Sequence, residues 1–506
     1  MNHWITIPVV LPALTAAVLV LLLRSGILVQ RVLSVASTIA LLAVAIGLWS
    51  LSMEGPRAYL IGSWPAPFGI VLVLDRLSAL MLLLTSIIAC AAVLYSIMGW
   101  DTRGRHFHAL FQFQLLGING SFLTGDVFNL FVFFEVMLIA SYGLVLHGGG
   151  PWRLKAGFQY VAINLIASTM FLFAVGLMYG VTGTLNMADL AVKVAKLPTG
   201  DHALLAVSAV LLFAVFAVKC ALVPLHWWLP NTYSAGPAPA IALFAVLTKV
   251  GAYAIIRVHT LVFGADALAI SGLLQQLLFS AAILTLVLGA VGVLASRTML
   301  DLASYSIIAS MGTLLVASVG LEPRQLAAAL YYLLHSTLTG AALFLLVDVI
   351  AAARGQAIDK LVPNMAVPRA TLLGGLFLLA GMAMVGLPPL SGFVGKIVIL
   401  DSMRGTSVAL VAWTAILSTS LLLLVGYARA GSTLFWKSGT VRPAQGQVRS
   451  LRVAPVTIVG CLLAATVALS VFGGAVMTAM DATAREILKP DWYIRAVLDP
   501  AVLAER

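Results

Sequence analysis

The chain has 506 residues, of which 62% are hydrophobic and only 9% charged. A soluble domain carries about 25% charged residues, so a soluble globular protein of this length is excluded. The net charge of +11 does not indicate nucleic-acid binding, because the basic residues are scattered through loops without interleaved aromatics.

The apolar residues come in runs of about 20, the length of a helix that crosses about 30 Å of hydrocarbon. Fourteen spans are predicted, at 4–23, 32–52, 72–98, 107–123, 127–146, 156–181, 203–228, 238–262, 270–295, 301–320, 325–352, 370–402, 407–434 and 453–478. The expected fold class is therefore an all-α membrane protein, since backbone groups in lipid must pair within their own segment. The short alternating segments of a β-barrel are absent. The start, Met1-Asn2-His3-Trp4, lacks a basic region and a small-residue cleavage site, so it reads as a retained first helix. A polar tail is expected from Asp481. Cys90, Cys220 and Cys461 each lie in an apolar run at no metal-binding spacing, and read as packing residues.

Loop charges test the count. With the N-terminus outside, the inner loops hold fifteen lysines and arginines, Arg442 and Arg449 among them, and the outer loops and helix ends hold six. That bias favours both termini outside.

Two spans are interrupted. The seventh carries Val223-Pro224-Leu225, and the twelfth carries Gly386-Leu387-Pro388-Pro389-Leu390-Ser391-Gly392. Proline removes a helix hydrogen bond and frees carbonyls that need polar partners. The breaks are five spans apart, and a five-helix unit crosses an odd number of times. Spans 4–8 and 9–13 are thus expected to be inverted repeats, as in many transporters. The expected division is 1–106 for the first three helices, 107–262 and 263–434 for the repeats, and 435–506 for the last helix and tail.

Five ionisable residues lie deep in spans: Glu135 in the fifth, Lys219 before the first break, Lys249 in the eighth, His335 in the eleventh and Lys396 after the second break. A charge at bilayer depth costs at least about 2.5 kcal/mol, so it marks a pathway by default. A buried lysine can release and regain a proton, and a mobile carboxylate nearby switches that affinity. These five are the candidate proton relay. Cation binding calls for oxygen ligands, and Glu135 is the carboxylate placed near a helix centre, so the set suits protons better than a sodium cage.

His226 and Asp348 are secondary candidates, His226 for proton entry beside the first break and Asp348 for pairing with a partner subunit. Asp75-Arg76 reads as an interfacial pair. Gln159, Asn164, Ser168 and Thr169 of the sixth span read equally as water holders or interhelical packing. Gly148-Gly149-Gly150 has no Walker lysine, and no cofactor or metal site is expected.

The segments Phe131–Val136, Lys219 with Pro224-Leu225-His226-Trp227-Trp228-Leu229-Pro230, Ala235–Pro239 leading to Leu247–Gly251, and Gly386–Phe393 resemble the antiporter-like subunits of complex I, membrane-bound hydrogenases and Mrp-type cation/proton antiporters. The resemblance covers about residues 70–430. Within that superfamily the chain looks most like the D subunit of the Mrp (Pha, Mnh) antiporters. The signs are Lys396 in place of a glutamate, an end after fourteen spans, and the stretch Phe107–Gly117 leading into Asn129–Glu135. Cys220 and Val223 depart from the usual pattern. The resemblance implies a proton path through Glu135, Lys219, Lys249, His335 and Lys396. It also implies partner Mrp subunits in a bacterial inner membrane, exchange of sodium or potassium for protons, and a transporter in place of an enzyme. Two alternatives remain: a proton-pumping subunit of a redox-driven membrane arm, and a scaffold whose lysines are relics.

Overall fold

A computed structural model describes residues 3–24, 26–198, 202–264, 268–364, 367–440 and 452–499, so Arg442 and Arg449 lie outside the described residues. The chain opens with α1 (Ile7–Leu21) and α2 (Ile27–Ser52), followed by an antiparallel hairpin of β1 (Arg57–Leu60) and β2 (Val71–Leu74). The expected third span begins too early, because Val71–Leu74 pairs as a strand. Asp75 then caps α3 (Arg76–Ser96) in a reciprocal capping box with Ser78.

Next come α4 (Phe107–Leu123), α5 (Val127–Val145), α6 (Pro151–Thr182) and the short α7 (Met187–Val194). The seventh span stops short of its expected end. It forms α8 (His202–Cys220), then a non-helical stretch at 221–227, then α9 (Trp228–Ala235). The eighth is α10 (Ala238–Phe244) running into α11 (Leu247–Leu261). Then follow α12 (Leu268–Ala295), α13 (Met299–Ala317) and α14 (Pro323–Ala353). The twelfth span is split into α15 (Ala370–Val385) and α16 (Ser391–Ser402), ahead of α17 (Ala409–Gly431) and α18 (Val453–Val471).

The expected polar tail is instead two amphipathic helices, α19 (Gly473–Ile487) and α20 (Pro490–Leu498). They bury Met480, Ala484, Ile487, Tyr493 and Val497 against the bundle.

Among the described residues, twelve helices are long and apolar enough to cross a membrane. The two remaining expected spans are α4, at 17 residues, and the split α15–α16. The α10–α11 span is buried along its whole most apolar window, whereas no more than a third of that window is buried in α1, α2 and α18. The rim therefore shows Leu14, Ile139, Phe158, Phe173 and Leu421 outward, as a lipid-facing surface requires, and polar groups gather around α11.

Two sets of helices share their contacts position by position. Neither Gly117 beside the Met137 backbone nor Gly289 beside the Ala309 backbone has room for a Cβ. The same holds for Gly120 on Phe133 and Gly292 on Tyr305. The Asp126 side chain caps Asn129 N–H, and Thr298 caps Asp301 N–H. Tyr160 bonds to Ser141, and Tyr332 to Thr313. Each second member stands 172 positions after the first (289 minus 117).

Contacts between helix ends also sort into two groups. At one end of the bundle, Arg31 pairs with Asp101, His147 donates to the Trp100 carbonyl, Arg153 to the Ala235 carbonyl, and Ser234 to Asp301. At the other, Asp75 pairs with Arg257, Tyr253 donates to the Phe122 carbonyl, Gly125 to the Val71 carbonyl, and Arg76 pairs with Glu486.

Candidate functional site

The site begins on α5. Glu135 is half-buried and accepts a hydrogen bond from Ser168 on α6. It lies within electrostatic range of Lys219, the penultimate residue of α8. The Lys219 ammonium is buried and donates to Asn164 Oδ1 at 2.9 Å. Asn164 Nδ2 in turn donates to the Tyr160 carbonyl at 2.8 Å, which fixes which end of the amide meets the lysine. Phe134, Phe171 and Phe216 pack edge to face around this pair, with ring centroids 5.6 to 6.3 Å apart.

The first break holds α8 in place. Val223 N–H donates to Thr285 Oγ1 at 2.9 Å, and the Trp228 indole donates to the Val218 carbonyl at 3.0 Å. His226 is half-buried in the break, with its Nδ1 unpartnered among the described residues. It stands beside the charged line and not in it.

Lys249 sits on α11 with no exposed surface, and its nearest polar contact is Thr248 Oγ1 at 3.5 Å. A Cβ on Gly251 would meet Cys220 Sγ at 2.8 Å and Lys219 Cβ at 3.0 Å. This glycine lets α11 press on the end of α8, so the two lysines occupy touching helices.

His335 on α14 bonds through Nδ1 to Ser391 Oγ at 2.8 Å, where α16 begins. Lys249 and Lys396 both lie within electrostatic range of its ring. Lys396 donates to the Val385 carbonyl and to Ser420 Oγ, each at 2.8 Å. The carbonyl freed by the second break is thus met by the lysine that follows it. Gly386, at φ +83°, and Gly392 leave room for this: a Cβ would meet Lys396 Cδ at 2.9 Å from the first and His335 Nε2 at 2.8 Å from the second.

The five expected relay residues are therefore neighbours in the order Glu135, Lys219, Lys249, His335, Lys396. Asp348 is apart from them. It accepts from Tyr95 Oη at 2.7 Å and the Trp100 indole at 2.9 Å, both within the chain. Asp75 and Arg76 do not pair with each other. Asp75 pairs with Arg257 at 2.5 Å and Arg76 with Glu486 at 3.2 Å, because the capping turn aims the two side chains apart. Of the sixth-span polar residues, Asn164 and Ser168 touch the relay, Gln159 bonds Asn231, and Thr169 bonds its own helix. Sequence reasoning missed Ser420 and the three phenylalanines. Ser391 was visible in the break motif, but its role toward His335 was not. No group of three His, Cys, Asp or Glu residues among those described is arranged to hold a metal.

Comparison with known proteins gives concordant findings. A family model described as NADH:quinone oxidoreductase/Mrp antiporter, TM, matches residues 124–423. The probable K(+)/H(+) antiporter D subunit of Rhizobium meliloti (strain 1021) is 43% identical over 98% of both chains. The Na(+)/H(+) antiporter D subunit of Bacillus subtilis (strain 168) is 36% identical over 98% of this chain and 100% of its own. Among solved structures, a chain of the Mrp complex from Dietzia sp. DQ12-45-1b superposes with a TM-score of 0.88 at 27% identity, covering 98% of this chain and 100% of that one. A chain of respiratory complex I from Thermus thermophilus with bound NADH gives 0.78 at 25% identity, covering 96% and 99%.

Proposed function

The chain belongs to the NADH:quinone oxidoreductase/Mrp antiporter family, and from that premise we propose that it is the proton-translocating subunit of a multisubunit Na+(K+)/H+ antiporter. The observation that carries this reading is that Glu135, Lys219, Lys249, His335 and Lys396 follow one another within electrostatic range or on touching helices. The full-length likeness to two antiporter D subunits favours it over a redox-driven membrane arm.

Each residue has a task. With Glu135 close, the Lys219 ammonium is compensated by a carboxylate and held by Asn164. When Glu135 turns away or is neutralised by a cation or proton, the ammonium is left uncompensated in a dry site, and its proton moves on. Lys249 receives it, having little to hold it rigidly. His335 passes it across to Lys396, accepting at one ring nitrogen and releasing at the other. Lys396 takes it up as an ammonium that donates to the Val385 carbonyl and Ser420 Oγ.

The repeats are proposed at 107–262 and 263–434, supported by the contacts that recur after 172 positions (289 minus 117). Fourteen crossings are proposed because the two groups of helix-end contacts alternate along the chain, as that count requires. The Arg31, Trp100, His147 and Ala235 group then faces the inner side, and both termini lie outside. The chain is assigned to a bacterial inner membrane with other Mrp-type subunits as partners.

The reading is tested in vesicles carrying the full complex. Glu135→Ala and Lys219→Ala are each expected to abolish sodium- or potassium-driven proton exchange while the complex still assembles. Normal exchange in both variants rejects the relay.

A further inference from the structure

A polar cavity outside the relay opens at the helix ends that carry the Arg31–Asp101 pair. It lies where α3 and α14 end and α18 begins, and its volume is about 600 Å3. The walls hold charges of both signs: Asp348 from α14, Arg103 from the turn after α3, and Arg452 at the head of α18.

Contacts inside the chain leave part of Asp348 unused. Tyr95 Oη at 2.7 Å and the Trp100 indole at 2.9 Å both donate to Oδ2. Oδ1 receives no hydrogen bond from the described residues. Neither donor is charged, and Arg103 and Arg153 act on the carboxylate through space. An ionised carboxylate offers about four acceptor positions, so roughly two stay open toward the cavity.

The two guanidiniums are also held in ways that leave donors over. Arg103 lies over the Trp100 ring, 3.7 Å from its centroid, a contact made by its flat face and not by its N–H edge. Arg452 gives one N–H to the Met98 carbonyl at 3.0 Å. Both side chains are exposed.

The cavity borders lipid. Only 22% of the most apolar window of α18 is buried, and Val453, next to Arg452, is 60% exposed. Tyr95 and Trp100 each turn a polar tip toward the cavity, as aromatic residues do where a membrane meets water. An amphiphile can therefore place its head in the cavity and its chains along α18.

We propose that this cavity binds the headgroup of a zwitterionic membrane lipid with a primary ammonium, of the phosphatidylethanolamine class. The ammonium donates to Asp348 Oδ1, and the phosphate lies between Arg103 and Arg452. An anionic headgroup without an ammonium meets the carboxylate unfavourably, and a simple cation meets the guanidiniums unfavourably. A short zwitterion satisfies both. Choline has no N–H to donate to the carboxylate, so its lipids fit less well. The site is independent of the proton relay.

Native mass spectrometry of the delipidated full complex, titrated with defined lipids, tests this, and the difference between wild type and variants isolates the site. The wild-type complex is expected to bind dioleoyl phosphatidylethanolamine about fivefold more tightly than the phosphatidylglycerol or phosphatidylcholine analogue, the scale of one exposed charge pair. Asp348→Asn keeps the side-chain size and an oxygen for Tyr95 and Trp100, and is expected to turn the preference toward phosphatidylglycerol. Arg452→Gln, at an exposed position, is expected to weaken both phospholipids. Equal affinities in wild type, or an unchanged preference in Asp348→Asn, overturns the proposal. Soluble phosphoethanolamine is expected not to displace the lipid; displacement at equal concentration would make the ligand a soluble phosphate ester and overturn the lipid assignment. Loss of another subunit from the Asp348→Asn complex, with lipid binding intact, would make the cavity a protein contact and overturn it as well.

Discussion

The helices α4–α6 and α12–α14 reuse one frame and differ in what they place on it. A shift of 172 positions (289 minus 117) carries the hairpin glycines, the caps and the tyrosine bonds from one set to the other. The same shift carries Glu135 onto Ile307 and Ser168 onto Gly340. In the first set that contact is a hydrogen bond between Ser168 and the carboxylate. In the second, Ile307 Cδ1 occupies the space a Cβ on Gly340 would take. The polar contact has been exchanged for an apolar one at the same place. His335, conversely, falls where the first set has Ile163. Among the described residues a carboxylate thus acts on the lysine of the first set, Lys219, whereas the lysine of the second, Lys396, meets neutral oxygens.

The strongest test of this difference converts the first contact into the second. Glu135→Ile with Ser168→Gly is expected to assemble normally, because the second set shows that the frame accepts that pair. Exchange is expected to fall by about two orders of magnitude, the usual loss on removing a proton-transfer partner. Exchange near wild type would mean that the two contacts are equivalent and that the carboxylate is dispensable.

A smaller effect is expected at the second break. Gly392→Ala drives a Cβ into the Ala383 carbonyl and the His335 ring. Overpacking of this kind costs about 1–3 kcal/mol, visible as a lower unfolding temperature of the purified complex, with slowed exchange. Unchanged stability and exchange would show that the break relaxes freely and does not position His335.

The smallest effect concerns His147, just past α5, whose shifted counterpart is Val319. Burial, outweighing the bond to the Trp100 carbonyl, holds its imidazole below the usual value, and Arg153 and Arg103 push the same way. The folded chain therefore binds this proton less readily than the unfolded chain. Stability from this source is full above about pH 6.5, the ordinary imidazole value, and declines as pH falls below it. His147→Gln is expected to reduce the difference in unfolding temperature between pH 7.5 and 5. An identical difference in the variant would show that His147 contributes nothing to it.

Much of this was legible because it rests on apolar run length and on costly residues. The spans, both breaks and all five candidate relay residues follow from those two signals. The ion pairs at helix ends were not legible. Arg257 meets Asp75 across 182 positions, and neighbours in sequence such as Asp75 and Arg76 looked like partners instead. Glu486 read as part of a polar tail, since only the packing of α19 shows that one face is buried. The repeat was visible as a spacing of breaks but not as side-chain pairs, because Met137 and Ala309, or Phe133 and Tyr305, share a place and not a chemistry. Ser420 gave no signal at all before Lys396 was seen to reach it.

The central claim is that Lys249 carries a proton and not merely a charge. Lys249→Arg tests it most directly, since arginine keeps the charge and does not deprotonate at working pH. The assembled Lys249→Arg complex is expected to lose exchange as completely as Lys249→Ala. Full exchange by Lys249→Arg would contradict the claim.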